Sequence, residues 1–206
     1  MNKTVAKKNL VYIIFAWCLL KFVEYYFFHF LVRALFWFVL SAILLTVILS
    51  QVVKALEERK ALTRLRIAKV FTFLTLFYLT LCPWFVDRLI EKIDWKMFYK
   101  KRIEIVQQVK SKSLTSNDKL SGGICELPFE FPVISNGGND VLIYRSKNSD
   151  AVTVSFWVYR NYFNAPSTSF VYTNDIAEMK EIENGISLDP KNNWKIIDNW
   201  YRTFGE

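Results

Sequence analysis

The sequence predicts a membrane α-helical anchor of three transmembrane helices followed by an α+β extracytoplasmic domain. That domain is expected to carry an antiparallel sheet of about four or five strands and one long amphipathic helix. Three observations lead there: long uncharged apolar runs before residue 87, an uneven distribution of Lys and Arg around them, and a switch to period-two alternation after Gly122.

A spanning helix needs about 20 mainly apolar residues, because each rises about 1.5 Å through a core about 30 Å thick. Residues 34–53 (ALFWFVLSAILLTVILSQVV) form a 20-residue stretch without charge, Gly or Pro. Residues 70–86 (VFTFLTLFYLTLCPWFV) give 17 uncharged positions between Lys69 and Asp87. Residues 9–28 make the first span although Lys21 and Glu24 fall inside it. Three apart, those two share a helix face, where they can pair and snorkel to the headgroups. No small-residue cleavage site follows this run, so it reads as the first arm of a membrane hairpin bending near residues 29–33 rather than as a signal peptide.

Orientation follows from the short flanks. Lys3, Lys7 and Lys8 precede the first run, and Lys54, Arg59, Lys60, Arg64, Arg66 and Lys69 lie between the second and third. The N-terminus and the 54–69 connector are therefore expected in the cytoplasm, with everything after residue 87 outside. The net charge of +8 has the same origin: residues 1–94 hold 13 Lys and Arg against 6 Asp and Glu, residues 95–206 hold 14 against 13. Such basicity reports topology and argues against a nucleic-acid partner. The expected division is a transmembrane anchor over 1–87, an amphipathic helix and polar connector over 88–121, and a β-rich extracytoplasmic domain over 122–206.

Within 89–109, apolar residues recur at Ile90, Ile93, Met97, Phe98, Ile105, Val106 and Val109, a helical spacing that Lys100, Lys101 and Arg102 are expected to interrupt. Residues 111–121 read as a polar connector. Strands are expected at 124–131, 141–146, 152–160, 167–173 and, as one last strand, 194–204, with turns at 135–140 and 147–150. Val152, Val154, Phe156 and Val158 alternate with Thr153, Ser155, Trp157 and Tyr159, so one strand face is core. The acidic run 175–183 suggests a helical turn. A single cysteine in the domain, Cys125, excludes an internal disulfide, and no Asn-x-Ser/Thr acceptor occurs there. Both point to a bacterial cytoplasmic membrane.

Catalytic and metal sites are not expected. His29 is the only histidine and lies at a membrane interface, so no Ser-His-Asp triad, Cys-His pair or histidine-ligated zinc can form in the domain. Gly122-Gly123 and Gly137-Gly138 lack the context of a phosphate loop, and no cofactor is expected. Asp175, Glu178, Glu181 and Glu183 lack the ligand spacing of a calcium loop. The two uncharged spans place no ionisable group at mid-membrane depth, which disfavours transport. What stands out is an aromatic and arginine concentration, 156–163 together with Tyr144, Arg145, Trp200 and Tyr201, the residue types that dominate binding hot spots. Packing under the amphipathic helix would explain it as well. If that face is open, Arg145, Trp157, Tyr159 and Arg160 are its expected anchors.

The chain is thus expected to be a non-enzymatic, small bacterial integral membrane protein whose partners are the bilayer and a protein outside the cytoplasm. An immunity or inhibitor protein against a toxin has that shape, as does an envelope assembly accessory. A membrane enzyme acting on lipid or cell-wall material, using acids such as Glu126 and Glu130, is the alternative from another class.

Overall fold

The computed structural model describes residues 3–115, 123–146, 150–160 and 166–205. Most of the loops expected at 147–150 and 161–166, and the second half of the 111–121 connector, lie outside the described residues. The chain divides into two compact units, 1–90 and 91–206.

The first unit is helical because no Gly or Pro interrupts the chain before Pro83. It holds α1 (Lys3–Phe27), α2 (Phe30–Glu57), a 3-10 turn (Arg59–Ala61), α3 (Arg64–Leu81) and the start of α4 (Pro83–Lys110). The chain turns between α1 and α2 at Phe28 and His29. Thr63 caps α3, its hydroxyl accepting from Arg66 N at 3.3 Å. Pro83 has no N–H and disfavours a helical residue before it, so the helix breaks at Cys82 (φ −110°, ψ 62°). Pro83 then opens α4, where a missing donor costs nothing. The expected span over 70–86 is therefore divided, its last four residues belonging to α4.

Among the described residues, two helices are long and apolar enough to cross a membrane, or three if α3 and α4, bent by 83°, count as one span. In α2 only 11% of the most apolar window is buried, leaving side chains such as Leu35, Phe38 and Leu49 outward. So much uncovered apolar surface is compatible with a membrane anchor. Inside the unit, Thr80 joins three helices: its hydroxyl accepts from Trp17 Nε1 at 3.0 Å, and its carbonyl accepts from Trp37 Nε1 at 2.8 Å. Lys21 and Glu24 do pair, but both are buried instead of snorkelling, and Arg33 joins them through Nε to Glu24 Oε1 at 2.9 Å.

The second unit packs α4 on a six-stranded antiparallel sheet with the order β1-β2-β3-β4-β6-β5. The strands are β1 (Ile124–Glu126), β2 (Asp140–Arg145), β3 (Val152–Tyr159), β4 (Thr168–Thr173), β5 (Trp194–Ile197) and β6 (Trp200–Phe204), with α5 (Ile176–Leu188) between β4 and β5. Six strands replace the expected four or five because 194–204 is a hairpin, turning at Asp198 and Asn199, whose φ of 64° is left-handed. The expected strand over 124–131 stops at Glu126. Beyond it Asn139 organises the chain: Oδ1 accepts from Ile134 N (2.8 Å) and Ser135 N (3.2 Å), while Nδ2 donates to the carbonyls of Phe129, Glu130 and Pro132.

Strand register divides the sheet into two faces. Val141, Ile143, Val154, Phe156, Phe170, Tyr172 and Trp200 form one, and Ile105, Val106 and Val109 of α4 are buried with them. Trp200 centres this core, its ring 5.1 Å from Trp95, 5.8 Å from Phe156 and 5.4 Å from Tyr172. The expected interruption of α4 at residues 100–102 is absent. Arg102 turns inward instead, donating to Asp94 Oδ2 at 2.6 Å and to Ile134 O at 2.9 Å, so its charge is neutralised without breaking the helix. At the end of α4, Arg145 donates to the Val109 carbonyl in the last helical turn and to the Leu114 carbonyl just beyond it, tying β2 to the helix C-terminus.

Candidate binding cleft

The second sheet face is built from the alternate residues of the same strands: Leu142 and Tyr144 on β2, Ser155 and Trp157 on β3, Ser169 and Val171 on β4, Tyr201 and Thr203 on β6. Helix α5 lies over only part of it. Asp175 starts that helix by accepting from Ala177 N at 2.9 Å, and its residues at 178, 181, 182 and 185 share one face by their spacing. None of the thirteen α5 residues is fully buried. The helix stands off the strands and leaves a cleft of about 460 Å³ between them.

The cleft floor is a set of hydroxyls. Register sets Ser169 opposite both Trp157 and Thr203, one cross-strand row carrying an indole and two hydroxyls. Ser155 sits one pleat further along. Thr153 satisfies its own hydroxyl with that of Thr173 at 2.7 Å. The hydroxyls of Ser155, Ser169 and Thr203 have no hydrogen-bond partner among the described residues, although Ser169 is only 9% exposed. Glu178 and Glu181 form the α5 wall, and Gly185 leaves an opening there, since a Cβ at that position would meet nothing within 4 Å. No Lys or Arg lines the cleft among the described residues.

The four residues expected as anchors do not form one patch. Trp157 is half-buried in the cleft wall, with the Arg160 guanidinium 4.3 Å from its ring centroid. Arg160 is held in turn by Asp140 at 2.7 Å. Tyr159 follows Trp157 across an irregularity in the β3–β4 register and is half-buried. Arg145 lies on the opposite face, at the end of α4. Trp200, counted with the aromatic concentration, is in the core, and Tyr201 is buried beneath α5 with its hydroxyl 3.5 Å from Glu183 Oε1. Tyr162 and Phe163 of the same concentration lie outside the described residues.

Compared with known proteins, the chain matches no family model, no curated protein and no solved structure.

Other candidate chemistry is dispersed. Glu126 and Glu130 are both exposed, one ending β1 and the other in the loop organised by Asn139. The acidic run 175–183 is helical and serves separate ends: Asp175 caps, Glu178 and Glu181 face the cleft, Glu183 faces Tyr201. Cys125 is fully buried, and that burial pushes its thiol above the ordinary range, with the Asp140 charge adding to the effect. Sequence reading passed over Ser155, Ser169, Thr203 and Gly185. Small polar residues on strands read as solvent-facing, and only the register with Trp157 brings them together.

Proposed function

We propose that this chain is a small bacterial cytoplasmic-membrane protein of three spans whose sheet domain stands on the extracytoplasmic side and binds a protein partner there. An immunity or inhibitor role against an incoming toxin is the reading we favour within that class. The observation that supports it is the asymmetry of the sheet. One face is closed by α4 and an aromatic core, whereas the other keeps Trp157, with the Arg160 guanidinium over its ring, half-buried beside an uncovered cleft. Trp, Tyr and Arg at a partly covered edge are the residue types that carry binding energy when a partner excludes water around them. The orientation rests on the nine cations of the N-terminus and the 54–69 connector, which resist transfer across the bilayer.

Two measurements test this separately. In intact cells an impermeant maleimide should label Asp150→Cys, in a Cys18→Ala, Cys82→Ala background, as well as it does after lysis. Labelling only after lysis would overturn the orientation. A photo-crosslinking residue at Tyr144, which is exposed and lines the cleft with Trp157, should trap one protein species that is lost with Trp157→Ala and Arg160→Ala, while the same residue at Leu188 should not. Equal crosslinking from both positions would remove that surface.

A further inference from the structure

We propose that the exposed face of α4 over residues 92–100 docks on an anionic lipid surface, its apolar side chains entering the headgroup layer while its lysines meet phosphodiesters. This goes beyond the protein-binding reading; it rests on anchoring in a bilayer but not on the side where the domain stands. Lys92, Ile93, Lys96, Met97 and Lys100 are exposed, and their spacing turns them away from Arg102, Ile105 and Val109, which are buried in the sheet unit. Charge is segregated across the helix. The acids of this stretch, Glu91 and Asp94, are buried and held by Arg202 and Arg102. Lys92, Lys96 and Lys100 recur every fourth residue and make no ion pair among the described residues, whereas Lys101 pairs with Glu104 at 3.0 Å.

Between these lysines, Ile93 and Met97 leave 40% and 58% of their surface uncovered, too much apolar area for a merely solvated cationic face. Phe85 and Leu89 extend the same four-residue spacing back toward Pro83 and are exposed too, so the apolar stripe starts where α3 ends. Helix α4 leaves α3 at 83°, the direction that runs along a bilayer when the preceding helix crosses it. A nucleic acid would use the lysines and leave Ile93 and Met97 in water. An apolar protein groove would cover those two and leave the lysines unanswered. A headgroup layer with anionic lipid answers both, with the lysine stems lying along the apolar stripe and their ammonium groups at the phosphates.

Nitroxide accessibility on the full chain, loaded singly into nanodiscs, tests the assignment. The label is placed at Met97→Cys, or at Leu188→Cys on exposed α5 as the reference, in a Cys18→Ala, Cys82→Ala background. In discs of phosphatidylcholine with phosphatidylglycerol, residue 97 is expected to be shielded from a neutral nickel chelate and open to oxygen, with residue 188 open to both. Pure phosphatidylcholine should shield residue 97 much less. Lys96→Glu should shift the ratio of shielded to open forms at least about fivefold, the worth of one cation at an anionic leaflet. Lys92→Glu, Lys96→Glu and Lys100→Glu together should bring residue 97 to the level of residue 188. Raising salt to about 1 M, where the screening length is about 3 Å, should weaken shielding in the chain with its lysines intact. Equal access at 97 and 188 in anionic discs overturns the proposal, and so does shielding that ignores lipid charge, lysine reversal and salt alike. Shielding in neutral discs on adding inorganic phosphate would make this a free-anion site, and shielding only at two chains per disc would assign the face to a second copy; either overturns it. A chain that fails to enter discs overturns the anchor as well, whereas an open residue 97 in loaded discs leaves the anchor standing.

Discussion

Arg202 and Glu91 are 111 positions apart in sequence and meet as a two-point pair, Nε donating to Oε1 at 2.8 Å and Nη2 to Oε2 at 3.3 Å. The last strand is thereby tied to the first turn of α4 within the sheet unit. Both side chains are at least nine-tenths buried, and the Arg202 guanidinium also lies 4.5 Å from the Trp194 ring centroid. Such a pair gains little over an apolar replacement, because desolvation offsets the attraction, but losing one partner strands a buried charge. Glu91→Ala is therefore expected to destabilise the unit by about 3–5 kcal/mol. Glu91→Leu combined with Arg202→Met should recover most of that, as read from urea midpoints followed by tryptophan fluorescence. Equal losses in the single and double variants would show that the pair does not act as a unit.

Asn139 is expected to be the most sensitive small side chain in the domain. It makes five hydrogen bonds to main-chain groups and holds a left-handed φ of 58°, which asparagine tolerates better than other residues. Asn139→Ala removes all five and strains the backbone, for an expected loss of about 3–5 kcal/mol at roughly 1 kcal/mol for each net bond. Asn139→Asp keeps both acceptances and forfeits the three donations, so thermal unfolding should place it between wild type and alanine.

How much of this was legible in the sequence depends on whether a residue's role is local. The alternation over 152–160 revealed a core face and a mixed face, because period two is a property of the strand alone. The apolar runs before Pro83 were equally plain. The expected break at Lys100, Lys101 and Arg102 fails at Arg102, because nothing local shows that Asp94 and the Ile134 carbonyl come to meet its charge. The hairpin at Asn199 was hidden by the continuous apolar and aromatic content of 194–204. Ser169 and Thr203 are 34 positions apart with nothing in either neighbourhood to mark them; only the β4–β6 pairing makes them neighbours. Arg145, chosen with Trp157 for its residue type, faces the other way because adjacent strand positions differ by one pleat.

Alkaline stability should be governed in part by Tyr201. Burial raises its phenol above the ordinary value of about 10, and the neighbouring Glu183 carboxylate adds to the shift, with Asp198 adding less and Lys195 opposing. The folded state therefore holds the proton more tightly than the unfolded chain does. The stabilising contribution is complete below about pH 10 and is lost as pH rises through the higher folded value. As pH rises above about 10, unfolding midpoints of the wild type should fall more steeply than those of Tyr201→Phe. Parallel slopes would show that the phenol does not ionise in that window.

In the helical unit, Arg33 is expected to be the residue whose removal costs most. It donates to Glu24 at 2.9 Å and to Asp87, while Glu24 also accepts from Lys21, so two cations balance two carboxylates. Charges inside an apolar helical assembly persist only when paired. Arg33→Met leaves the carboxylates in excess and should lower thermal stability in nanodiscs by about 3–5 kcal/mol. Adding Asp87→Asn restores the balance by removing one negative charge, and the double variant should regain more than half of the loss. Lys21→Met should be milder than Arg33→Met, because Glu24 then keeps Arg33 whereas Arg33→Met deprives two acids at once. A larger loss from Lys21 than from Arg33 would mean that the network is centred on α1 rather than on the start of α2.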